Sequence, residues 1–175
     1  MDLLRDSLLE MYESEPHIGN LIFLDVETTG LEKTAKLIEI GAIGVIFDGV
    51  ECKLETFEAL INPGFPITAK ITEITKITQS MLDEQGGSDN KYAEFVEWIK
   101  KINPKHFVAH NAKFDSSKLY YNLDRVGFSP IKDLPTWDWI CTLEMSRRLL
   151  KDAKANNLGA LSEYFKFANR AAHRA

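Results

Sequence analysis

The chain has 175 residues, 45% of them hydrophobic and 27% charged, and a formal net charge of −5. That length favours one domain with a real core, and no apolar run approaches the ~20 residues of a membrane span. The acidic balance speaks against a protein that coats duplex DNA through its phosphates, although bound metal ions can neutralise an acidic pocket locally.

Met1 to Tyr12 mixes Asp2, Arg5, Asp6 and Glu10 with leucines, which is not the pattern of a secretory signal. Leu4, Leu8 and Met11 recur at helical spacing, so residues 1–20 read as a leader with an amphipathic helix, followed by one domain over residues 21–175. Leu21 to Val26 is an apolar run and the first predicted strand. Lys36 to Phe47 is the second, Asp48-Gly49 a hairpin signal, and Lys53 to Ile61 the third. Gly41 and Gly44 inside the second strand predict a bulge or a close backbone approach.

Asn62-Pro63-Gly64 breaks the strand pattern. Thr68 to Thr75 fits a short helix, and Thr78 an N-cap for another carrying Met81 and Leu82. Gly86 to Asn90 reads as a flexible loop. Lys91 to Ile102 is amphipathic, with Tyr92, Phe95, Val96 and Ile99 on one face, and Pro104 ends it. His106 to Asn111 is a short buried strand with a polar end. Phe114 to Val126 follows as a helix with Leu119 and Leu123 inward, closed by Gly127. Trp137 to Cys141 is a fifth strand, and Thr142 to Leu150 and Leu158 to Phe167 are two more helices around the polar loop Lys151 to Asn156. Cys52 and Cys141 lack paired-motif spacing and read as buried thiols of a cytoplasmic protein. An antiparallel three-strand meander followed by strands alternating with helices predicts an α/β layered fold with a mixed sheet, its first strand in the middle.

That first strand carries Asp25 and Glu27, two residues apart and therefore on one face. Adjacent carboxylates repel unless a proton or a cation lies between them. They are either solvated acids at a strand end or part of a site for a hard divalent cation. Asp115 begins the helix after the fourth strand, where the helix N-terminus alone would favour a carboxylate. Convergence of all three acids on one crevice favours a metal site, and the lack of a Cys/His cluster disfavours zinc. Paired divalent cations on carboxylates suit phosphodiester hydrolysis, assisted by a general base such as histidine. Of the four histidines, His17 and His106 read as surface and structural residues. His110 borders the crevice, and His173 lies near the C-terminus, a position usually exposed.

Asp25-Val26-Glu27-Thr28-Thr29-Gly30 resembles the first motif of the DnaQ-like 3′–5′ exonucleases, the branch with four acids plus a histidine. Glu39-Ile40-Gly41-Ala42, Ile71 to Thr78 with Met81-Leu82, and Val108 to Asp115 match the later landmarks in order. Cys141-Thr142-Leu143, Asn157-Leu158 with Leu161, and Ala172-His173-Arg174-Ala175 continue the set, so the resemblance spans Leu21 to Ala175. It implies a ribonuclease-H-like three-layer fold with a mixed five-stranded sheet. It implies two divalent cations, Mg²⁺ or Mn²⁺, and stepwise release of nucleoside monophosphates from a 3′ end of DNA. By motif, Asp25, Glu27 and Asp115 would ligate metal and His173 would activate water. Thr28, Thr29, Gly30, Thr75, His110 and Asn111 would face the substrate. A proofreading role of the epsilon-subunit type, beside a replicative polymerase catalytic subunit, would follow.

Two departures qualify the match. Thr75 stands where many relatives have a nucleotide-contacting histidine, so a changed contact is expected. The family's last metal-binding aspartate lies five residues beyond the position of His173, past Ala175. The domain is therefore expected to be cut within its last motif, with weakened metal binding. Two alternatives remain open at this stage: an RNA exonuclease or oligoribonuclease, since no residue here settles recognition of the 2′-hydroxyl, and a catalytically impaired interaction module.

Overall fold

The apolar runs pair into one mixed sheet in the computed structural model, which describes residues 19–48, 51–85, 89–129 and 138–167. Strands β1 (Leu21–Thr28), β2 (Leu37–Phe47) and β3 (Cys52–Leu60) form the antiparallel meander. Strands β4 (His106–Ala109) and β5 (Asp138–Cys141) add in parallel on the other side of β1. The order β3-β2-β1-β4-β5 leaves β1 in the middle, as the sequence predicts.

Six helices are described: α1 (Ala69–Thr75), α2 (Gln79–Asp83), α3 (Asp89–Ile102), α4 (Ala112–Arg125), α5 (Thr142–Leu149) and α6 (Leu158–Tyr164). Alternation along β1 divides the sheet into two faces. Ile22, Leu24 and Val26 join Tyr92, Phe95 and Ile99 of α3 and Leu119 and Leu123 of α4 in the main core. Phe23, Asp25 and Glu27 point the other way. Thr142 and Leu158, at the starts of α5 and α6, line a cavity on that second face. Helices on both sides of a mixed sheet make the expected three-layer, ribonuclease-H-like fold.

Local chemistry sets the element ends. The Thr68 and Thr78 hydroxyls accept from the amides of Ile71 and Met81 at 3.4 and 3.3 Å, so Thr78 is the N-cap it is predicted to be, and Thr68, expected inside its helix, caps it instead. Gly127, at φ +87°, follows the end of α4 in a conformation that suits glycine. Gly44 lies against α3: a β-carbon there would stand 2.7 Å from Ile102 Cδ1, so the close-approach reading holds. Asp48 Oδ1 accepts from the amide of Glu51 at 2.7 Å beside the predicted hairpin, whose residues 49 and 50 lie outside the described residues.

Some boundaries differ from the prediction. Helix α3 starts at Asp89, so Asp89 and Asn90 belong to a helix and not to the expected loop, whose residues 86–88 lie outside the described set. Helix α6 stops at Tyr164, because Lys166 turns left-handed at φ 58° and the Phe167 amide bonds back to the Ser162 carbonyl at 2.8 Å. Cys52 is buried as expected, whereas Cys141 is only half-buried at the end of β5; both are free thiols. The expected leader helix, His17 and Trp137 lie outside the described residues. No helix among those described is long and apolar enough to cross a membrane.

Candidate active site

Three carboxylates meet at the end of the central strand. Asp25 and Glu27 leave β1 on the same face, opposite Gly41 and Glu39 of β2 in the antiparallel register. Asp115 comes from the first turn of α4, which the short β4 delivers beside β1. It is 2% exposed. Burial, with the charges of Asp25 and Glu27 beside it, pushes its carboxyl up to about 7, against opposing hydrogen bonds from its own amide and that of Val26. Asp25 remains open to solvent at the mouth of the site, yet the surrounding protein raises its carboxyl above the usual range. The Glu39 charge adds to that rise, while the Val26 amide and His110 oppose it. These effects place three acids in one electrostatic space.

Their chemistry suits a hard cation, since all the donors are carboxylate oxygens. A cation there would offset the burial and the repulsion that together raise the Asp115 carboxyl. As they stand, no three such ligand groups among the described residues are close enough to grip an ion. The donor chemistry fits a hard cation.

The turn after β1 is built by its threonines. A register shift between Glu27 and Thr28 ends the regular pairing. Thr28 Oγ1 donates to the Gly30 carbonyl at 2.7 Å, and Thr29 Oγ1 accepts from the Lys36 amide at 3.0 Å. Both hydroxyls, expected to meet substrate, are engaged in shaping the turn. Gly30 is half-buried, and the Glu32 carboxylate folds over it, within 2.2 Å of where a β-carbon would sit.

His110 lies just past β4 and lines a cavity of about 490 Å³ together with Asp25, Gly41, Thr142 and Leu158. Its Nδ1 is 3.1 Å from Thr142 Oγ1. Burial lowers its pKa, with a hydrogen bond at the Asn156 backbone and the charge of Asp25 working against the shift and Arg147 reinforcing it. Asn111 follows in the left-handed conformation, φ 71°, and exposes its side chain at the start of α4. Thr75 is the last residue of α1. It is 2% exposed, and its hydroxyl donates to the Ile71 carbonyl at 2.9 Å and accepts from the Ile77 amide at 3.2 Å. In this arrangement the hydroxyl closes the end of α1. His173 lies outside the described residues.

Glu39 was given no site role by sequence reasoning. It is 4% exposed and faces Glu27 across the β1–β2 pair. The signal was an acid inside an otherwise apolar strand, the same signal that singles out Asp25.

Comparison with known proteins adds to this geometry. The family model for exonucleases of the RNase T type matches residues 22–175. The chain is 33% identical over 165 residues to a DNA polymerase III of the PolC type from Caldanaerobacter subterraneus subsp. tengcongensis, covering 93% of this chain and 11% of that protein. It is 34% identical over 155 residues to the PolC-type polymerase of Clostridium perfringens, covering 88% and 10%. The chain thus spans about a tenth of the length of these relatives. Among solved structures, exonuclease X bound to 5′-overhanging duplex DNA is similar at 26% identity and a TM-score of 0.59, over 88% of this chain and 81% of that one. The cell-death related nuclease CRN-4 shares the fold at a TM-score of 0.72 and 17% identity, over 90% and 59%.

Proposed function

The chain belongs to the exonuclease family of the RNase T type, and from that premise we propose that it removes nucleotides one at a time from the 3′ end of single-stranded DNA. The observation that carries the reading is the buried carboxyl of Asp115 set against the charges of Asp25 and Glu27. A structural acid gains nothing from that company, whereas a metal-binding acid requires it. Asp25, Glu27 and Asp115 would hold divalent cations, two of Mg²⁺ or Mn²⁺. Bound there, such ions make a nucleophile of water and stabilise the leaving oxygen of a phosphodiester.

The protein's own groups do the rest. His173 takes the proton of the attacking water and passes it to solvent. His110 and Asn111 border the crevice, and the backbone of Thr28, Thr29 and Gly30 receives the terminal nucleotide. Thr75 closes the end of α1. The PolC-type likeness supports DNA as the substrate and a replicative polymerase catalytic subunit as the partner, with proofreading in the cytoplasm as the setting.

A single strand labelled at its 3′ end, incubated with the protein and Mg²⁺ or Mn²⁺, should release labelled mononucleotide at once. The same strand labelled at its 5′ end should shorten as a ladder. Absence of mononucleotide with both metals, or release from the 5′ end first, would sink the proposal. A matched RNA strand degraded faster than the DNA would transfer the activity to RNA.

A further inference from the structure

Lys118 is a lysine where a helix surface residue would be expected, yet it is 2% exposed. Burying an ammonium is costly unless its donors are met. Its Nζ donates to the carbonyl of Leu31 at 2.8 Å and to that of Glu32, and stands 5.1 Å from the centre of the Phe114 ring. One turn further along α4, fully buried Asn122 donates to the Ala35 carbonyl at 3.1 Å and accepts from the Leu37 amide at 3.4 Å. Asp115, Lys118 and Asn122 follow at i, i+3 and i+7 and so lie on one face of α4.

The segment they grip is the connection from β1 to β2. Leu31 is 85% exposed, and Glu32, Lys33 and Thr34 are exposed with it. Within itself the segment is closed at its base, where the Thr29 amide donates to the Lys36 carbonyl at 2.9 Å and the Lys36 amide to Thr29 Oγ1 at 3.0 Å, and inside that closure the Ala35 amide donates to the Glu32 carbonyl at 2.9 Å. It continues directly from Thr28-Thr29-Gly30. The helix that carries Asp115 therefore also carries the clamp on the turn beside the site. Neither contact is local, for Lys118 and Leu31 are 87 residues apart.

We propose that Lys118 is a positioning residue that fixes the β1–β2 turn at a set distance from Asp115 and so forms the seat of the substrate's terminal nucleotide. This rests on the exonuclease reading above. Lys118 does not touch the scissile bond. It acts through the carbonyls of Leu31 and Glu32, whose amide planes also orient the backbone that leads back to Gly30. Losing the ammonium frees the turn without changing the acids.

The experiment compares wild type with Lys118→Met, which keeps the stem and removes the donors, on a short single-stranded DNA with Mn²⁺. KM should rise about tenfold while kcat stays within about twofold, because a hydrogen bond to a charged group is lost from substrate seating alone. Lys118→Arg, which keeps charge and donors, should recover at least part of the lost KM. Hydrogen exchange on the same proteins should show faster exchange of the Ala35 and Lys36 amides and unchanged protection along β1. An unchanged KM, or a fall in kcat that tracks a fall in melting temperature with no rescue by arginine, overturns the proposal. Should Lys118→Met fail to fold, Lys118→Gln, which retains one donor group, takes its place under the same criteria. Unaltered exchange at Ala35 and Lys36 overturns the clamp even where no nuclease activity is seen. An inactive wild type, by contrast, overturns only the exonuclease reading.

Discussion

Asp115 is held in the fold at an energetic cost. Its carboxyl ionises near 7 because burial and the charges of Asp25 and Glu27 disfavour the anion. The unfolded chain releases that proton near 3.8. Between those two values the folded state binds more protons, so stability falls as pH rises from about 4 to about 7 and is level above. The loss is a few kcal/mol in the absence of divalent cation. Asp115→Asn cannot ionise, and it should flatten this slope and gain about 2 kcal/mol at pH 8 in EDTA, less than the full cost because the amide leaves some hydrogen bonds unmet. Urea denaturation from pH 4.5 to 8 reads both effects. Parallel curves for the two proteins would show that Asp115 does not titrate as described. Adding Mn²⁺ should stabilise wild type at pH 8 and leave the asparagine variant unmoved.

At the level of elements, what the sequence reveals follows from how local each cause is. Strand β1 was readable because an apolar run with two acids has few other uses, and the Thr78 cap was readable because a cap hydrogen bond spans three residues. Asp25, Glu27 and Asp115 were singled out as candidates by the same means, as polar groups at ends of apolar segments. Lys118, Asn122 and the burial of Thr75 were not readable. A lysine in α4 looks like solvated surface until the β1–β2 connection, 87 residues earlier, folds over it. The Thr75 hydroxyl answers to neighbours two and four residues away, which a motif position does not specify. Gly44 shows an intermediate case, where a local oddity signals a distant contact. Its partner is known now: Ile102 and Trp98 of α3 lie where a side chain would go. Gly44→Ala should cost about 1–3 kcal/mol by overpacking. Ile102→Val, which removes the methyl that blocks it, should cost about 1 kcal/mol alone. The double variant should be less destabilised than the two together, a coupling that urea titration of the four proteins measures. Simple additivity would mean that the helix shifts as a body and that the contact is not the constraint.

For the whole molecule the governing fact is a net charge of −5 with a carboxylate cluster at its working end. A nucleic-acid strand approaching that end without cations meets like charge. The body offers no balancing excess of Lys and Arg, which number 21 against 26 acids. Grip on the strand must therefore be short, confined to a few phosphates around the terminal nucleotide, and dependent on cations. This gives a binding prediction separate from cleavage. An oligonucleotide with a nuclease-resistant phosphorothioate 3′ end should bind at least about tenfold more tightly in Mn²⁺ than in EDTA. In Mn²⁺ the logarithm of the binding constant should fall with the logarithm of monovalent salt at a slope of about −1 to −2. That range corresponds to roughly two phosphates at about 0.7 each for a single strand. Fluorescence anisotropy over a range of KCl concentrations reads the slope directly. A slope steeper than about −4, or binding in EDTA equal to that in Mn²⁺, would mean that the chain carries an extended basic track after all. A shallow slope with strong Mn²⁺ dependence leaves the cation at the carboxylates as the main source of affinity.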